Sequence, residues 1–390
     1  MRIAYTPEQE RFRDEVRAYY ERILTPELRA AFAGYEEEGS GYRDAVRKLG
    51  EDGWLTVSWP EEYGGRNLSP IENYIFFEET QKAGVTIPHL TTNSIGPTLM
   101  RYGTEEQKAR FLPGIARGEI HFSVGYSEPE AGSDLASLKT RAERVGDHYV
   151  INGQKIWTSL IHHADYVWLA VRTDPDAPKH KGISIIIVPT DAPGFSWTPI
   201  RTLRGGFTSA GYYQDVRVPV ENLVGKENQG WEIITNQLNY ERVTICPAGV
   251  VQRRLEAVAE WARHTTAPDG RRLIDQEWVQ MNLAAVEAKA EVLQLMNWKV
   301  AWADESGTIS PADASALKVY GTEMYVEAFR LLMEIVGADA LLDGEAPGAL
   351  RDSLEAAMRW SVLMTFGGGT NEVQREIVAR AGLSLPRAKD

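Results

Sequence analysis

KTRAERVGDHYVINGQKIW, residues 139–157, decides the fold of this chain. β-Branched and aromatic residues alternate with polar ones on either side of Gly146–Asp147, a two-residue turn that closes a β-hairpin. Segments of the same kind follow at short intervals: YVWLAVRT (166–173), GISIIIVPT (182–190), FSWTPI (195–200) and AGYYQDVRVPV (210–220). The apolar run 182–190 reads as a buried strand. On the N-terminal side the period becomes helical. Phe12, Val16, Tyr19 and Ile23 recur three or four residues apart, and a glutamate-bearing helix over 71–83 follows the turn-rich WPEEYGGRNLS (59–69). Helices return from Trp231, and the segment 276–301 carries Val279, Leu283, Val286, Ala290, Leu293 and Met296 on one face. Helices, then strands, then helices, without strand–helix–strand alternation, predict an α+β fold. The expected domains are an N-terminal helical one (1–120), a middle antiparallel barrel-like β domain (121–229) and a C-terminal four-helix bundle (230–390).

Composition narrows the function. At 43% hydrophobic residues the chain has enough apolar surface for large cores, yet no run nears the roughly 20 residues of a membrane span. The start, MRIAYTPEQERF, turns charged at once and lacks a secretory leader's apolar stretch. A lone cysteine, Cys246, excludes an internal disulfide framework and suits a reducing cytoplasm. A net charge of −13 argues against a nucleic-acid partner. It leaves room for an anionic small ligand held by a local arginine or backbone N–H groups. The common glycine-rich nucleotide loops and the serine nucleophile elbow are absent. The seven histidines are scattered, and the adjacent His162 and His163 are poorly spaced for chelation, so no metal is expected.

Three polar clusters remain at the edges of elements. Tyr126-Ser127-Glu128-Pro129-Glu130-Ala131-Gly132-Ser133-Asp134 offers hydroxyls and free N–H groups suited to a flat heteroaromatic ring, or is an ordinary Pro/Gly turn. Asn152-Gly153-Gln154-Lys155-Ile156-Trp157-Thr158-Ser159 could cover one face of such a ring, or is a hairpin edge with a core tryptophan. Phe366-Gly367-Gly368-Gly369-Thr370-Asn371-Glu372-Val373-Gln374-Arg375 enters a helix through three glycines, either as an anion seat or as a helix start without a ligand.

YSEPEAGSD, NGQKIWTS and GGGTNEVQR, in this order, resemble the motifs of the acyl-CoA dehydrogenase family, and the likeness covers almost the whole chain. The resemblance implies FAD as cofactor and α,β-dehydrogenation of an acyl-CoA thioester, with electron-transferring flavoprotein as acceptor. It assigns Tyr126 and Ser127 to the flavin's pyrimidine edge, and Trp157 and Ser159 to the ring face and its N5/O4 edge. Thr370 and Glu372 fall to the phosphate and ribose portion, and Ser133 to the acyl-pantetheine side.

The general base departs from the family's commonest pattern, Y-E-G-T, because Gly368 occupies the glutamate's position. Isovaleryl-CoA dehydrogenase-like members carry the base on an earlier helix in a run like L-D-x-E-R. Leu238-Asn239-Tyr240-Glu241-Arg242 matches that run, making Glu241 the expected base and Arg242 a CoA contact. A glutamate in an apolar cleft gains the proton affinity that general-base catalysis requires. The segments that in family homotetramers lend an adenine half-site to a neighbour are also altered. His264 to Gly270 lacks the R-x-x-F-G run, and Glu334, Ala338 and Ala340 replace a glutamine and two glycines. These departures resemble the heteromeric actinobacterial steroid side-chain dehydrogenases, and imply a steroid-CoA substrate and a paralogous partner in a heterotetramer. An acyl-CoA oxidase, a non-catalytic partner subunit and a nucleic-acid-binding relative are the competing readings, the last opposed by the net charge.

Overall fold

The computed structural model describes residues 4–34, 39–244, 246–267, 269–337, 350 and 354–386, the side chains of 239–244 excepted. The first helix, α1 (Pro7–Ile23), begins at Thr6, whose hydroxyl accepts the N–H of Gln9 while the Gln9 side chain returns to the N–H of Thr6. Phe12, Val16, Tyr19 and Tyr20 are its buried residues. Helices α2 (Pro26–Ala33), α3 (Tyr42–Glu51) and α4 (Pro70–Lys82) pack around them, α4 repeating the reciprocal cap with Ser69 and Glu72. A π-helical turn, Leu90–Ile95, leads into α5 (Gly96–Tyr102), and α6 (Glu105–Ala116) completes the helical region.

Eight strands follow: β1 (Phe122–Gly125), β2 (Arg141–Val145), β3 (His148–Lys155), β4 (Tyr166–Arg172), β5 (Ile183–Pro189), β6 (Phe195–Arg201), β7 (Phe207–Pro219) and β8 (Leu223–Val224). They form one sheet in the order β6-β7-β3-β2-β4-β5-β8, with β1 beside β4. The predicted hairpin closes with Val145 opposite His148. Pairing is antiparallel apart from β1 with β4 and a single β2–β4 pair. The sheet is covered on both faces, which explains the unbroken apolar run of β5. Val167, Leu169 and Val171 pack with Ile151 and Val216 on one side. Trp168 and Ala170 pack on the other with Leu99, Phe111 and Ile233 from flanking helices.

The chain ends in helices α7 (Gly230–Thr244), α8 (Gly249–His264), α9 (Glu277–Glu305), α10 (Pro311–Val336), α11 (Leu354–Met364) and α12 (Asn371–Ile377). On α9, Val279, Val286, Ala290 and Leu293 are buried and Leu283 and Met296 pack at the margin, following the predicted stripe. Gly321 of α10 permits a close crossing, since a Cβ there would lie 2.6 Å from Cβ of Cys246. Burial pushes the Cys246 thiol up to about 12, so it stays protonated. Among the described residues no helix is long and apolar enough to cross a membrane.

Two imidazoles sit inside this framework. Burial pushes His89 down to about 4, and burial, with the nearby charge of Arg43, does the same to His121. In the unfolded chain both take up protons near their ordinary value of about 6.5. The folded chain then holds fewer protons, so stability present above pH 6.5 is lost as pH falls towards 4. Thermal melts should therefore decline over this window, each imidazole contributing on the order of 3 kcal/mol across it. In His89→Leu the decline should be shallower, and an unchanged slope would remove His89 from the account.

Candidate active site

The first two polar clusters meet at the ends of β1 and β3. The Ser127 carbonyl accepts the N–H of Ile156 at 2.9 Å, fastening the loop after β1 to the end of β3. Beneath this contact Lys155 is wholly buried. Its ammonium donates to the Tyr126 carbonyl at 3.0 Å and to Oε1 of Glu128 at 2.8 Å. The Glu128 carboxylate also receives the N–H groups of Lys139 (2.6 Å) and Thr140 (2.8 Å). Burial pushes the Lys155 ammonium down to about 8, with Glu128 pulling the other way. Burial works to raise Glu128 too, but Lys155 and the N–H donors outweigh it and hold the carboxyl below its usual range.

Beyond Lys155 the strand breaks sharply. Trp157 has φ +62°, a left-handed conformation rare for a bulky side chain, and the residue is 57% exposed. The hairpin-edge reading with a core tryptophan is therefore corrected, because the turn swings the indole out of the sheet's inward phase. Thr158 is buried and donates its N–H to the Ser209 carbonyl at 3.0 Å. The hydroxyls of Thr158 and Ser209 find no hydrogen-bond partner among the described residues. Ser159 is half-buried, its carbonyl accepting the Ser123 hydroxyl at 2.9 Å and its own hydroxyl 3.5 Å from that of Thr208. Among the described residues the N–H of Ser127 is likewise uncommitted. An exposed indole face bordered by free N–H and hydroxyl groups can cover a flat heteroaromatic ring and bond its edge atoms.

Tyr126 is part of the wall. Its hydroxyl donates to Oε1 of Gln237 on α7 and accepts the indole N–H of Trp168 at 3.1 Å. Gln237 is fully buried, with its Nε2 unpartnered among the described residues. Glu241 lies one helical turn further along α7, on the side of the backbone that Gln237 occupies. The side chains of Glu241 and Arg242 lie outside the described residues. Ser133 is exposed on the loop after β1, beside Asp134, which pairs with Lys179 at 2.8 Å.

The third cluster forms a separate group at the start of α12. Gly368 (φ +66°) and Gly369 (φ +93°) take left-handed conformations. The buried Lys318 ties their turn to α10, donating to the carbonyls of Thr365 (3.0 Å) and Gly369 (2.8 Å) and to Oδ1 of Asn371 (2.8 Å). The Thr370 hydroxyl accepts the N–H of Val373 at 3.3 Å, and Asn371 points inward to Thr322 and Glu323. Two N–H groups of the helix start are thus taken, that of Asn371 by the Thr365 carbonyl (2.9 Å) and that of Val373 by the Thr370 hydroxyl, and the asparagine is buried. Glu372 is exposed, and the N–H at the helix start holds its carboxyl below the usual range. Among the described residues no hydrogen bond or ion pair links Thr370 or Glu372 to the Trp157 group.

At the far end of the bundle, Glu334 pairs with Arg330 of its own helix and accepts from Asn282 at 3.3 Å. Arg271 is bound to Asp269, and Arg272 to Asp275, both at 2.8 Å. Ala338 and Ala340 lie outside the described residues. Sequence reasoning passed over Lys155, Glu128, Gln237 and Lys318. For Lys155 a signal existed: it shares the inward phase of β3 with Tyr149 and Ile151.

Comparison with known proteins shows the family. Residues 6–119, 123–216 and 228–383 match the N-terminal, middle and C-terminal domains of acyl-CoA dehydrogenases. The chain belongs to the acyl-CoA dehydrogenase family, and is thus an oxidoreductase acting on acyl-CoA. It is 55% identical over 399 residues to acyl-CoA dehydrogenase FadE26 of Mycobacterium tuberculosis, covering 100% of each chain. The crystal structure of the ChsE4-ChsE5 complex from Mycobacterium tuberculosis contains a chain 56% identical, with a TM-score of 0.92 and 100% coverage of both. A chain of the Tcur3481-Tcur3483 steroid acyl-CoA dehydrogenase is 48% identical, with a TM-score of 0.92 and the same coverage.

Replacing Lys155 by Met would leave the buried Glu128 carboxylate without its counter-charge, at a cost of about 3–5 kcal/mol. Thermal denaturation should show a clear drop in melting temperature, and Lys155→Met/Glu128→Gln should recover part of it. A single variant as stable as wild type would show that the pair does not hold the site.

Proposed function

We infer that this chain is the catalytic subunit of a cytoplasmic, FAD-dependent acyl-CoA dehydrogenase that works with a paralogous partner on a steroid side-chain CoA ester. The observation that carries the reading is Trp157, held with its ring outward in a strained conformation beside the uncommitted Ser127 N–H and Thr158 hydroxyl. These groups fit a flavin, whose flat ring needs a cover and whose edge needs hydrogen-bond donors. Bound flavin would supply the acceptor for the substrate's β-hydride, and electron-transferring flavoprotein would take the electrons onward.

The chain's own residues do the rest. Ser127 bonds the pyrimidine edge through its backbone and hydroxyl, with Tyr126 fixing the loop against α7. Trp157 and Ser159 bound the ring face and its N5/O4 edge, and Thr370 and Glu372 approach the phosphate and ribose portion. Ser133 and Arg242 serve the pantetheine and CoA. Glu241 takes the α-proton, a role supported by its position one turn from Gln237 on the helix tied to Tyr126. Gly368 cannot take that role, having no side chain. The steroid substrate is supported by likeness to a steroid acyl-CoA dehydrogenase, and the partner by likeness to chains from two-component complexes.

Two experiments test the reading. Glu241→Gln should keep flavin bound but lose nearly all flavin reduction by a steroid-CoA substrate, followed as bleaching of flavin absorbance under anaerobic conditions. Retention of more than a few per cent of the wild-type rate would rule out Glu241 as base. The chain expressed alone should hold little FAD, since a lost charge-assisted phosphate contact costs roughly 1.5–3 kcal/mol. Co-expression with its paralogue should restore about one FAD per two chains, read as flavin absorbance after gel filtration. A lone homotetramer with one tight FAD per subunit would refute the heteromer.

A further inference from the structure

Helix α7 buries Ile233 and Ile234 completely, and the next position of the same stripe is Gln237, which is also fully buried. An apolar side chain would fill that place without penalty. A glutamine brings an amide whose oxygen and two N–H donors need partners away from water. The oxygen has one, since Oε1 accepts the Tyr126 hydroxyl. Nε2 has none among the described residues.

The hydroxyl sets the direction of the amide. Tyr126 accepts the indole N–H of Trp168 at 3.1 Å and directs its own proton at Gln237. With its oxygen engaged, the amide turns its NH2 group away from Tyr126. A hydrogen bond received at an amide oxygen draws electron density from the nitrogen, so the chain Trp168–Tyr126–Gln237 makes those N–H groups better donors. All three side chains are buried, and the low-dielectric surroundings strengthen any bond the donors form. Left without an acceptor, the same donors are costly.

This donor stands close to the proposed base. Residues four apart on a helix have Cβ atoms about 5–6 Å from each other. Glu241 is four positions beyond Gln237. In an acyl thioester the acidic α-carbon adjoins the carbonyl. As the α C–H bond breaks, its proton goes to the Glu241 carboxylate. Its electron pair forms the new double bond while the β-hydride leaves to the flavin. Until the hydride has gone, part of the charge rests on the thioester oxygen, and a donor already aimed at that oxygen lowers the barrier.

We propose that Gln237 is a second catalytic side chain of α7, its Nε2 donating to the thioester carbonyl oxygen while Glu241 takes the α-proton. The proposal rests on the dehydrogenase reading above and adds a residue to it. Gln237→Met keeps the length of the side chain and removes both donors. Calorimetry on the complex with its partner chain would compare two inert CoA ligands carrying one steroid side chain, the 2,3-unsaturated thioester and an S-alkyl thioether that lacks the carbonyl. Wild type should favour the thioester at least about tenfold, and Gln237→Met should shrink that ratio at least about fivefold with the thioether affinity unchanged. Anaerobic flavin reduction by the saturated substrate should slow by about 10²–10³. A purely structural role would weaken both ligands together, so an unchanged ratio overturns the proposal. Should Gln237→Met melt early, Tyr126→Phe keeps the amide and cuts the chain behind it. The ratio should then fall by a smaller factor, and full retention would count against the proposal. Wild type that binds neither ligand would sink the dehydrogenase reading and this proposal with it, whereas a Gln237→Met variant with the wild-type ratio sinks the proposal alone.

Discussion

A lysine and a glutamate buried together set the geometry on which the candidate site depends. Lys155 reaches inward from the end of β3 and Glu128 from the loop after β1, and they meet where water is excluded. An isolated charge there would be prohibitive, so each must find its partner before the surrounding packing can close. The pair then draws in other pieces. Glu128 gathers the N–H groups of Lys139 and Thr140, and Lys155 takes the Tyr126 carbonyl. Three stretches far apart in sequence are thereby fixed in one register. Trp157, two residues beyond Lys155, can hold its costly left-handed conformation because both sides of the turn are anchored.

The same pair shows where the sequence was legible and where it was not. The change of period from helix to strand and back is a bulk property, and the strands, the Gly146–Asp147 turn and the buried stripe of α9 follow it. Side-chain direction near the site is a property of single residues. Lysine reads as surface, yet Lys155 lies in the inward phase. Continued alternation would have carried Trp157 inward as well, but one positive φ reverses it. Asn371 stands at a helix start and is bound inward by Lys318, a lysine that no motif marked. Spacing cannot display such exchanges, since they depend on partners 27 residues away for Lys155 and 53 for Lys318.

The turn at Gly368 bears on the location of the base. Its left-handed backbone, with its carbonyls held by Lys318, suits glycine and would burden any other residue with roughly 1–3 kcal/mol of strain. A glutamate at that position would have to bear this strain, as Trp157 does in its own turn. Helix α7 carries no such restriction. It is tied to the loop after β1 through Tyr126 and Gln237, so a glutamate one turn further on shares a rigid support with the proposed ring site. In the proposed reading the two observations belong together, because a turn without the glutamate takes a conformation that glycine adopts most easily, while α7 carries the carboxylate.

Charge placement gives the chain a direction. Near Trp157, buried charges are matched internally, while the buried hydroxyls of Thr158 and Ser209 have no hydrogen-bond partner among the described residues. At the far end of the bundle the pattern is reversed. Arg271 and Arg272 are occupied by Asp269 and Asp275, and Glu334 brings a carboxylate where the proposed half-site would need to attract phosphate. Each feature taken alone could be an ordinary surface. In the proposed reading they belong to a chain that furnishes one half of a cofactor site and is poorly suited to furnish the other, which is why that reading calls for a second, different subunit.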